Sequence, residues 1–140
     1  MPIHSIRLAG PWYFSQSAEC PPRPPDVARH DRHELPFSLP VEKSARLQRF
    51  FQRPIRLDPR EAVRVRIVAT RPVLRASLDE HPLNLTRQPD GLLAPLPLPL
   101  TGRHCLTLDF APADAGTGPP SSGELQEVWL DFLGTDLADS

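Results

Sequence analysis

Between Ala45 and Leu85 the chain alternates apolar and polar positions more regularly than elsewhere. Val63, Val65 and Ile67 fall on one side and Arg64 and Arg66 on the other, the period-two pattern of a half-buried antiparallel strand. Leu74, Ala76 and Leu78 repeat it against Arg75, Ser77 and Asp79, and Asp79-Glu80-His81-Pro82 then predicts a turn with a hairpin beyond it. Ile6 to Phe14 reads as one strand broken at Gly10-Pro11. Leu106, Leu108 and Phe110 supply another strand face, and Val128 to Phe132 the last. Proline limits two further segments, because it donates no backbone hydrogen bond. Leu35 to Pro40 is therefore expected as a short edge strand, and Leu92 to Leu100 as an extended edge segment rather than a central strand.

The intervening segments read as loops. Ser15 to Glu34 is polar and proline-rich, with polyproline II character at Pro21-Pro22-Arg23-Pro24-Pro25. Arg53 to Glu61 carries Asp58-Pro59 turn chemistry, 86–91 and 111–123 are turn-rich, and the acidic tail from Gly134 is expected to fray. Eight or so short strands without an amphipathic helix predict an all-β fold, a jelly-roll-like antiparallel β-sandwich. Residues 1–140 suit one domain, with the Pro-rich loop at 15–34 laid over one edge.

Composition supports that reading, since 19 prolines against 7 glycines disfavour long helices. Sixteen basic and 17 acidic residues leave a net charge of −1, so no overall field draws the chain to nucleic acid or an acidic membrane. All the basic residues but Lys43 are arginine, whose planar guanidinium suits interfaces and internal ion pairs. No apolar run approaches the roughly 20 residues that span a bilayer, and no secretory pattern follows Met1, so a cytoplasmic location is expected. Cys20 and Cys105 form no C-x-x-C unit and read as free thiols.

Candidate chemistry is sparse. Arg49 shares strand parity with Leu47 and Phe51 and so points toward the core, where it needs a partner. The favoured reading is an ion pair with Asp79 or Asp109, and the other is contact with a ligand. His30-Asp31-Arg32-His33-Glu34 spaces two imidazoles three residues apart, but without a helical pattern it reads as solvated loop, and no metal is expected. His104-Cys105 reads as a strand-start histidine beside a buried thiol. No G-x-S-x-G elbow presents a nucleophile, so the chain is not expected to be an enzyme, and no cofactor is implied.

Leu8 to Phe14, Arg46 to Phe51, Arg64 to Val68, Ala76 to Asp79 and Leu106 to Phe110 carry, in that order, a resemblance to the galactose-binding-like jelly-roll domain. More narrowly, the chain resembles the amino-terminal sugar-binding domain of family 2 glycoside hydrolases, and single-domain versions from planctomycete-type bacteria. It departs from that pattern at Glu80-His81, where the family carries an Asn-Gly turn. It also has Glu42-Lys43-Ser44-Ala45 where the hydrolases carry a tryptophan, and no catalytic barrel is expected to follow. The resemblance implies a non-catalytic binding module with a carbohydrate ligand. Sites on such domains sit in end loops, here 15–34, 86–91 and 111–123, none of which contains an aromatic residue. Trp12, Tyr13 and Trp129 are the aromatics able to stack on a sugar, with core packing the default for Trp12 and an outward orientation expected for Trp129. The alternative is a protein-interaction or scaffold domain without a sugar site. Its contacts would be the Pro-rich arm, the Leu96 to Leu100 edge and Trp129.

Overall fold

The alternating stretches become strands, and chain order divides them between two antiparallel sheets. A computed structural model describes residues 4–15, 31–38, 45–52, 62–70, 73–89, 91–97, 103–110 and 124–132. The first sheet runs β1 (His4–Arg7), β12 (Glu124–Phe132), β6 (Val63–Ala69), β10 (Gly91–Pro95) and β9 (Thr86–Gln88). The two-residue β4 (Phe37–Ser38) joins this sheet by pairing with the start of β12. The second runs β3 (Asp31–His33), β2 (Trp12–Ser15), β5 (Ala45–Gln52), β11 (Arg103–Phe110), β7 (Val73–Leu78) and β8 (His81–Pro82). The architecture is an all-β two-sheet sandwich compatible with a jelly roll. Among the described residues no helix is long and apolar enough to cross a membrane.

Inward positions of both sheets share one core. Val63, Val65 and Ile67 of β6 and Val128, Leu130 and Phe132 of β12 meet Leu47, Leu106, Leu108, Phe110 and Trp12 from the second sheet. The period-two pattern holds in β12 even though Leu125 lies three residues before Val128. A register shift between Leu125 and Glu127 inserts one extra residue and leaves both apolar side chains buried.

Five expectations change against the structure. The segment from Ile6 to Phe14 is not one broken strand but two: β1 lies in the first sheet and β2 in the second, with Gly10-Pro11 at the crossing. A Cβ on Gly10 would stand 2.9 Å from Glu34 Cγ and 3.2 Å from the His33 carbonyl, so a side chain at the crossing would force Glu34 to shift. Leu74 leaves the inward row and is 63% exposed, because the register between β7 and β11 shifts at Phe110 and Val73 takes the inward place. Asp31–His33, expected in the loop, adds β3 to the edge of β2. Within 86–91, Thr86–Gln88 is likewise an edge strand rather than a loop.

The fifth change concerns the leucine-proline segment. β10 is an interior strand, flanked by β6 and β9. The Leu96 N–H donates to the Val63 carbonyl at 2.9 Å, so in an antiparallel ladder positions 95 and 97 face the opposite side. Both are prolines, and β9 has already ended there, so their missing donors cost no ladder bond. The predicted turn after Leu78 is present: Asp79 and Glu80 join β7 to β8, with Asp79 taking a φ of 54°. Asp is among the few non-glycine residues that visit this left-handed region, which lets the hairpin close without an Asn-Gly turn. The Pro-rich arm 21–25, the connection 53–61, residues 98–100 and 111–123, the tail, Cys20 and His30 lie outside the described residues.

Candidate functional site

The outer face of the first sheet carries a charged and aromatic cluster built across β1, β12 and β6. Residues opposite the core-facing valines and leucines must project outward, and the register aligns them in rows. One row runs Arg7, Trp129, Arg66, Leu93 and Thr86. At about 4.8 Å per strand it spans about 19 Å. The row beside it runs Ser5, Asp131, Arg64 and Pro95. A groove of about 410 Å³, lined by Arg64, Thr86, Gln88, Leu93 and Pro95 among others, opens at the β9 side of these rows.

Asp131 organises the cluster. It is fully buried although it points away from the core, because its neighbours close over it. Ser5 Oγ donates to Oδ1 at 2.7 Å, Arg64 Nε to Oδ2 at 3.1 Å, and Arg66 to both oxygens at 3.1 and 3.3 Å. Burial alone would raise its pKa, but the hydrogen bonds from Arg66, Ser5 and Arg64 outweigh that and hold the carboxyl below its ordinary value. Arg64 is thus fixed by its inner nitrogen, and Arg66 by its inner nitrogen and one terminal nitrogen. Arg64 spends only Nε on Asp131, so its terminal amino groups remain available. Trp129 stands beside this pair, half-buried, with the Arg66 guanidinium 5.3 Å from its ring centroid and its indole N–H donating to Glu127 Oε1 at 2.9 Å.

The four sequence candidates do not converge. Trp129 faces outward as expected. Trp12 is fully buried and its indole N–H donates to the Leu8 carbonyl at 2.8 Å, which makes it a core residue. Tyr13 is on the outer face of the second sheet, buried at 7% exposure and edge-on to Phe50. Arg49 points inward as its parity required, yet the expected ion pair is absent. Its terminal nitrogens donate to the carbonyls of Phe50 and Gly10, both at 2.9 Å, and its Nε has no partner. Desolvation lowers its pKa. The carboxylates proposed for it are committed elsewhere.

Asp109 serves Arg46 instead, which is 2% exposed on the outer face of the second sheet. Arg46 meets both Asp109 oxygens, at 2.6 and 3.2 Å, and Arg75 Nε adds a contact at 3.0 Å. Asp79 accepts the Cys105 N–H and lies 2.9 Å from His104 Nδ1. Cys105 is a buried free thiol whose pKa burial pushes up to about 11, so it is protonated and inert at neutral pH. His33 packs on Phe37, with ring centroids 4.4 Å apart. Among the described residues no group of three or more His, Cys, Asp or Glu is placed to hold a metal ion.

Sequence reasoning named Trp129 but missed its companions Asp131, Arg64, Arg66 and Ser5. The outward parity of Arg64, Arg66 and Asp131 was visible in the alternation. What was not visible was that β12 docks against β6, some 60 residues away, and brings the three together. No protein-family model matches this chain, and no curated protein matches it either.

Proposed function

We propose that this protein is a non-catalytic carbohydrate-binding module whose contact surface is the outer face of the first sheet around Trp129, rather than the loops at one end. The observation that supports this reading is the ordered set Arg7, Trp129, Arg66 and Arg64, one half-exposed indole flanked by guanidiniums on both neighbouring strands. Sugar recognition needs an aromatic platform and planar polar groups held in place before binding. Trp129 supplies the platform. The buried Asp131 carboxylate holds Arg64 and Arg66, so little ordering entropy remains to be lost on binding. The resemblance to galactose-binding-like domains agrees with the ligand class, while this placement of the site departs from the family pattern. Glycan-array and calorimetric binding test the reading. Trp129→Ala is expected to abolish binding while far-UV circular dichroism stays unchanged, and retained affinity in that variant would refute it.

A second reading rests on the shape of the same surface. Trp and Arg on an open sheet face are the residue types that dominate protein interfaces, so a scaffold domain would use the same side chains. A stoichiometric complex with a protein from the native organism, lost in Trp129→Ala and formed without glycan, decides for that reading.

A further inference from the structure

Resting on the carbohydrate reading, we infer that the saccharide recognised by this face is anionic, bearing carboxylate or sulfate groups, and that the arginines around Trp129 select it by charge. The chain as a whole carries −1, yet among the described residues Arg7, Arg64 and Arg66 stand here against Asp131 and Glu127, which reverses the sign locally. The imbalance at the surface is larger than the count. Asp131 is wholly buried, with both oxygens occupied by Ser5 and the two arginines, so a ligand does not meet that carboxylate. Glu127 has one oxygen engaged by the Trp129 indole. Beside the second Glu127 oxygen, what remains presented is guanidinium: the terminal nitrogens of Arg64 and the whole of the exposed Arg7, directly across the strand pair from Trp129. Guanidinium matches carboxylate and sulfate geometry through paired N–H donors. A neutral sugar offers hydroxyls, which would be served as well by Asn or Gln and would leave these charges unanswered. Arg66 lies over one face of Trp129 and Arg7 stands on the strand at its other side, so a ring stacked on the face that Arg66 leaves open has a cation within reach.

The test compares soluble ligands differing in charge: dextran sulfate against dextran, and polygalacturonate against a panel of neutral glycans. Poly-glutamate serves as a non-sugar polyanion. Each is titrated calorimetrically into the wild-type chain, Arg7→Glu and Trp129→Ala at low and high salt. Arg7 is exposed and takes part in no described hydrogen bond, so its reversal leaves the Asp131 cluster intact. Binding of an anionic glycan that falls about tenfold or more in Arg7→Glu, the size of one charge-assisted hydrogen bond, supports the inference. The same binding must weaken with salt and be lost in Trp129→Ala. Equal binding of the neutral and charged glycans, unmoved by Arg7→Glu, overturns it and leaves the carbohydrate reading standing. Polyanion binding that survives Trp129→Ala, or poly-glutamate binding as tight as polygalacturonate, reduces the effect to general attraction and also overturns it. No binding to any glycan refutes the carbohydrate reading itself, and this inference with it.

Discussion

The fully buried Asp131 shows how a carboxylate on an outer sheet face becomes structural. Two guanidiniums and a hydroxyl replace its water shell, and a group so held favours its charged form. Its folded-state pKa is therefore depressed below the ordinary carboxylate value of about 3.9. The sign of the pH dependence follows from linkage: the contribution is fully present above that value and is lost as pH falls through the lower folded value. Asp131→Asn should cost about 1.5–3 kcal/mol at pH 7, the range for hydrogen bonds to a charged group. The gap between variant and wild type should close as pH drops below about 4. Urea unfolding from pH 7 to pH 3 measures this, and a gap that stays constant across the range refutes the assignment. Arg49 teaches the opposite lesson at the same scale. Its inward parity was readable from the alternation, but its partners were not, because main-chain carbonyls leave no trace in side-chain identity.

Strand existence was legible wherever apolar residues alternated, as in β5, β6, β11 and β12. Strand membership was less so. The break at Gly10-Pro11 looked like an interruption within one strand, and nothing local says that the chain changes sheets there. Proline misled in the other direction. Pro95 and Pro97 suggested an edge, whereas an interior strand accepts proline where its N–H would face a neighbour that has already ended. Gly91 begins that strand at a φ of 126°, and a Cβ added there would collide with the Ile67 carbonyl oxygen of the paired strand. Gly91→Ala must therefore both strain the backbone and push β10 from β6, at a cost of about 1–3 kcal/mol for the dihedral alone. The expected result is a lower thermal midpoint and faster amide exchange at Leu92 and Ala94, and a midpoint equal to wild type would show that the close approach is not maintained.

Across the whole molecule, pairing is dominated by strands distant in sequence. β1 meets β12, β5 meets β11, and β6 is held between β10 and β12. Local alternation cannot encode such partnerships, which is why the sandwich was foreseeable and the Trp129 cluster was not. β12 is the linchpin: it supplies Leu125, Val128, Leu130 and Phe132 to the core, and Trp129 and Asp131 to the outer face. A chain stopped before residue 124 should lose cooperative unfolding altogether rather than a few kcal/mol, because β1 and β6 are left without their common neighbour. A sharp thermal transition in such a truncation would contradict this. The same arrangement bears on biosynthesis. While the ribosome is still making the segment after Phe110, β6 lacks its neighbour β12 and has an open edge, the kind of surface on which nascent chains stick to one another. Completion of the fold is thus deferred to the emergence of its last described strand, and the Trp129 surface comes into being only at that moment, so that any ligand it holds is reserved for finished molecules.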